Sequence, residues 1–128
     1  MTARRAQSVV AGISLVYDLA VGLALLAAPD RVASLFGVVV PEPRLFVTLT
    51  GLFLVCVGLG YVQPLRDPER HRAYLWIFGP LLKGAGAAVF LWEHIVNGAP
   101  ASYLLFAASD GILAVATLWA LVLLPASK

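Results

Sequence analysis

Four long apolar runs, each closed by proline or glycine, constrain this chain more than any other feature. They cover about residues 8–28, 45–62, 74–95 and 102–124. A helix needs about 20 mostly apolar residues to cross a hydrocarbon core about 30 Å thick, and each run is close to that length. Pro29, Pro41 and Pro43, then Pro64 and Pro68, then Gly98 and Pro100, then Pro125 mark the breaks. Barrel strands would alternate apolar and polar residues, which these runs do not. The expected fold is all-α: an integral membrane four-helix bundle forming one domain. Composition agrees, with 61% of residues hydrophobic and 12% charged, against about 25% charge in a soluble domain.

The start of the chain has a basic end, an apolar run and small residues near Ala28, in the manner of a signal peptide. Asp18 interrupts that run, and the run is long enough to span, so it reads as a retained first helix. Asp67 followed by Pro68 reads as an N-cap and first-turn proline, which would start the third helix inside the loop. Between the first two spans, "PDRVASLFGVVVPEP" places Val32, Leu35 and Phe36 on one side of a short helix, behind Asp30 and Arg31. Such a segment reads as a helix lying in the membrane interface.

Basic residues set the orientation. Arg4, Arg5, Arg66, Arg70, Arg72 and Lys128 fall on the side shared by the two termini and the middle loop, and only Arg31 and Arg44 on the other. The positive-inside bias then puts both termini in the cytoplasm of a cell inner membrane. Trp76, Trp92, Tyr61, Tyr74 and Tyr103 lie near span ends, as interfacial aromatics do.

Three ionisable residues sit deep in these runs: Asp18, Lys83 and Asp110. At a rise of about 1.5 Å per residue, Asp18 and Lys83 lie roughly 15 Å and 14 Å from the cytoplasmic ends of their helices, and Asp110 roughly 12 Å from the opposite face. All three therefore come near the midplane, where an unpaired charge costs several kcal/mol and turns to the bundle interior. The third and fourth spans are joined by a short loop, so Lys83 pairs most simply with Asp110, and Asp18 completes the cluster if the first helix closes the bundle. On the third helix Trp76, Pro80, Lys83, Ala87, Phe90 and His94 follow one face; on the fourth, Tyr103, Phe106 and Asp110 do. Pro80 should kink the third helix and free a carbonyl, and Gly79, Gly84 and Gly86 leave room for close helix approach or for a guest. The candidate ligand-binding or proton-handling residues are thus Asp18, Lys83, Asp110, Trp76, Phe90, His94, Tyr103 and Phe106. A salt bridge that only fixes helix pairing is the alternative for the charged cluster, and a polar cap is the alternative for His94.

Other chemistries find little support. Cys56 is the one cysteine, which rules out an intramolecular disulfide and a cysteine metal site. His71 and His94 are not at zinc-ligand spacing. The arginines carry no interleaved aromatics, so nucleic acid is not an expected partner. A desolvated lysine serves some enzymes as a base or Schiff-base nucleophile, but nothing else here specifies a reaction.

The layout carries a resemblance. A glycine-bearing first span, the proline-ended "PDRVASLFG", the second span "RLFVTLTGLFLVCVGLGY", a polar loop and a third span together resemble the DoxX-like small four-helix bacterial membrane proteins. Members with assigned roles are tied to membrane redox, including quinone-linked thiosulfate oxidation, so the resemblance implies a quinone or a redox partner. This chain has no cysteine pair and no haem-ligand arrangement, which puts redox chemistry by the chain alone in doubt. The expected function is a non-catalytic membrane protein: an accessory subunit of a larger complex, or a binder of lipid, quinone or pigment, in contact with membrane lipid and with copies of itself. The alternative is a proton-coupled small-molecule transporter or proton conductor working as an oligomer.

Overall fold

The computed structural model describes residues 1–123; the expected end of the fourth span at Leu124, its Pro125 break and Lys128 lie outside the described residues. Regular structure in the described residues is helical throughout. The helices are α1 (Ala3–Ala27), α2 (Pro29–Leu35), α3 (Leu45–Gly60), α4 (Val62–Arg66), α5 (Arg72–Trp76), a π-helical turn (Ile77–Leu81), α6 (Leu82–Asn97) and α7 (Tyr103–Val122). Joined where they run on, they make four helices long and apolar enough to cross a membrane: Ala3–Ala27, Leu45–Arg66, Arg72–Asn97 and Tyr103–Val122. Each contains or closely matches one of the four apolar runs.

The helix ends follow ordinary capping. Thr2 accepts a hydrogen bond from the Arg5 amide at 3.2 Å and opens α1. Gly98 ends α6 in the left-handed conformation, φ 70°, which glycine adopts without strain. The third long helix does not begin at Asp67 and Pro68. Asp67 instead closes a turn, accepting from the Arg70 amide at 3.3 Å through its side chain. His71 then leaves helical backbone, with φ −106° and ψ 28°, so the helix starts only at Arg72.

Pro80 has the foreseen effect in a particular form. Without an N–H it cannot continue the ordinary ladder, and Ile77–Leu81 widen into a single π turn. Tyr61 reaches across from the end of α3 and donates its hydroxyl hydrogen to the Phe78 carbonyl at 2.8 Å. Tyr61 is 1% exposed, which corrects its reading as an interfacial aromatic. It belongs to the core with Ala11, Val57, Leu75 and Leu121. Tyr74 packs edge-on against it and donates to the Val57 carbonyl.

Packing is uneven around the bundle. α1 lies along α3 and also touches α7, while α6 and the π turn pack on α7. The α1–α3 crossing is close because glycines form it: a Cβ added at Gly22 would stand 2.8 Å from the Gly51 carbonyl oxygen, nearer than any real side chain tolerates. The π turn approaches α7 in the same way, since a Cβ at Gly79 would stand 2.6 Å from Thr117 Cγ2. Two polar ties fix α7 in place. Gln7 donates to the Ala120 carbonyl at 3.0 Å, and Arg72 donates to the Leu121 carbonyl. α3 and α6 make no comparable contact, so the bundle stays open between them. Leu23, Phe46, Leu59, Leu91, Ile112 and Val115 stand exposed on the outside, an apolar surface of the kind lipid covers.

Candidate functional site

The gap between α3 and α6 is a cavity of about 380 Å³. α1, α3, α6 and α7 supply its walls. Its upper wall is α2 together with residues 38–41, which have no regular structure. Along α1 the lining runs from Leu25 down to Asp18 and Tyr17, which at the α-helical rise spans roughly 12 Å. The wall is mostly apolar, and its charged groups gather at the lower end.

There Lys83 and Asp18 meet. The Lys83 ammonium donates to Asp18 Oδ1 at 2.8 Å and to Oδ2 at 2.9 Å. Both residues are buried, at 3% and 2% exposure. Burying either charge alone would cost several kcal/mol, and such a pair persists only when geometry and additional polar contacts compensate for the lost hydration. The two-oxygen grip supplies the first. Two aromatic faces add to it, with the ammonium 5.1 Å from the Tyr17 ring centre and 5.9 Å from that of Tyr61.

The observed pair therefore differs from the expected Lys83–Asp110 pair. α6 does pack on α7, but Lys83 projects from the side of α6 that faces α1 across the cavity floor, and Asp18 is closer. Asp110 lines the same cavity within electrostatic reach of Lys83. No ion pair reaches it among the described residues. Its neighbour Tyr17 is already engaged: the Tyr17 and Ser109 hydroxyls lie 2.7 Å apart. Ser109 donates to the Leu105 carbonyl at 2.8 Å, and the Tyr17 hydroxyl also lies within hydrogen-bonding reach of Asp110. With all three charged groups ionised the cavity floor carries one net negative charge.

Aromatic rings fill the upper end. Phe36 stacks on Phe106 with centroids 4.6 Å apart, and Phe106 stacks on Phe90 at 5.1 Å. Tyr103 meets Phe90 edge-on at 5.7 Å. Ser102 clamps the strap formed by α2 and the residues after it to Pro41, donating to the Phe36 carbonyl at 2.6 Å. A second clamp is the two-pronged Arg44–Asp30 contact, at 2.8 Å and 3.1 Å, where the Arg44 guanidinium holds the exposed Asp30 carboxyl below its usual pKa.

Six of the eight expected residues line this cavity: Asp18, Lys83, Phe90, Tyr103, Phe106 and Asp110. Trp76 and His94 do not. A helical wheel put Trp76 in line with Lys83, but the π turn between them holds an extra residue. That residue rotates the preceding turn by about 100°, and Trp76 ends 38% exposed on the outside. His94 Nδ1 lies 2.7 Å from the Ala99 carbonyl oxygen, so His94 caps the end of α6, the alternative reading of that residue. The sequence reading missed Tyr17, Thr50 and residues 38–41 and set Phe36 on an interfacial helix, whereas all of these are on the wall; Gly86, read as room for a guest, lies on it too. Tyr17 had a signal in its position beside Asp18. The strap residues had none beyond their apolarity.

No family model, no curated protein and no solved structure matches the chain.

Proposed function

We propose that this chain is a non-catalytic inner-membrane protein, with both termini in the cytoplasm, that holds a small apolar or amphipathic molecule such as a lipid, quinone or pigment between α3 and α6. The observation that carries this reading is the cavity itself. Its volume of about 380 Å³ falls within the roughly 300–1,000 Å³ of small-molecule sites, which are mostly apolar with a few convergent polar groups. A bundle needing charges only for packing would have no use for a gap roofed by a clamped strap. The DoxX-like layout fits a lipid-soluble guest, and an accessory role in a larger complex is compatible with the same cavity. Asp110 favours a second reading, a proton-coupled transporter, because it lies on the cavity wall without a countercharge of its own.

A diazirine-bearing apolar probe added to the protein in lipid nanodiscs tests the binding reading. Its adducts, mapped by mass spectrometry, should fall on wall residues such as Thr50 and Phe90. They should disappear from there in Gly86→Leu, whose side chain enters the cavity. Adducts confined to the lipid-facing exterior, or unchanged by that substitution, would refute it.

A further inference from the structure

The floor of the cavity selects a charge as well as a size. Lys83 already gives two of its three ammonium hydrogens to Asp18, whose charge balances its own, so it offers little to an anionic guest. Asp110 shares the same wall and no cation among the described residues is paired with it. The Tyr17 hydroxyl, shared between Ser109 and Asp110, brings Asp110 at most one hydrogen bond and no countercharge. The unbalanced group at the lower end is therefore a carboxylate in apolar surroundings, where a countercharge is worth far more than in water. Phe106 lies one turn along α7 from Asp110 and faces the same space as Phe90. Aromatic faces attract organic cations for the same electrostatic reason that they attract lysine.

We infer that the guest is a lipophilic cation, an amine or quaternary ammonium whose charged head sits at Asp110 and whose apolar tail runs up between α3 and α6 toward Phe36. This rests on the proposed binding role and adds the class of ligand. The length of the groove along α1, roughly 12 Å at the helical rise, suits a head with a short chain or ring system behind it. An anionic amphiphile would set its head against the excess negative charge. A neutral one would leave the half-buried Asp110 carboxylate without a countercharge.

Two matched probes test the inference in nanodiscs of uncharged phosphatidylcholine, so that lipid headgroups do not gather the cation. One is phenylbutyl-trimethylammonium. The other is its uncharged isostere, with carbon in place of nitrogen. The cation should bind about tenfold to a hundredfold more tightly than the isostere, through charge attraction to Asp110 and to the aromatic faces. Asp110→Asn should remove that preference and leave the isostere's affinity unchanged. Equal binding of the two probes to the wild-type protein, or tighter binding of the isostere, overturns the cation while the cavity reading stands. Failure of both probes to bind removes the cavity reading as well. The wild-type comparison decides the matter even if Asp110→Asn does not fold.

Discussion

An ammonium group inside an apolar bundle needs a partner that offers both charge and hydrogen-bond acceptors, and Asp18 gives Lys83 both at 2.8 and 2.9 Å. Removing one member leaves the other buried and uncompensated, which costs about 3–5 kcal/mol, whereas replacing both with apolar residues of similar size is often neutral. Lys83→Met should therefore lower stability by that amount in thermal unfolding of the detergent-solubilised protein. Asp18→Leu added to it should restore most of the loss, and Asp110→Leu added instead should not. Equal rescue by the two aspartates would mean that Lys83 is shared between them. The sequence located all three charges, because depth follows from counting residues along a helix. It did not choose the partner: both aspartates come to similar depth, and only the order of helices around the bundle decides which carboxylate Lys83 faces. The short connection to α7 pointed to the wrong one.

At the level of elements, proline, glycine and a short strap shape the site. The four long helices were legible because unbroken apolar length is a local property. The π turn was half legible: Pro80 announced a disturbance, but its form depends on Tyr61 and on the fit of Gly79 against Thr117, contacts distant in sequence. That form moved Trp76 off the cavity face. The strap was legible as the helix Pro29–Leu35 and illegible as a wall, since its position is set by Ser102 and Arg44 far along the chain. The Arg44–Asp30 clamp is exposed, so it contributes little to stability, but it reports whether the strap is seated. Arg44 holds Asp30 below its ordinary value of 3.8. A lowered carboxyl pKa means the contact is complete above 3.8 and is lost as pH falls through the lower folded value. An NMR titration of the Asp30 carboxyl should show a midpoint under 3.8, rising toward it in Arg44→Gln. A midpoint that stays put on that substitution would show that the clamp is not formed in solution.

For the whole molecule the decisive property is asymmetry of packing. α1 is held to α3 by facing glycines and to α7 by Gln7, α6 is held to α7, and nothing comparable joins α3 to α6. The open seam becomes a cavity with a charged floor and an aromatic upper end. No single helix reveals it, because each contributes only one wall. The central claim, that this cavity holds a small lipid-soluble guest, is tested most directly by native mass spectrometry of the protein released gently from its own membrane. The account predicts a chain carrying one small molecule per copy, lost in Gly86→Leu, whether the chain emerges alone or within an assembly. A chain that flies free of any small molecule, with or without protein partners, would contradict it.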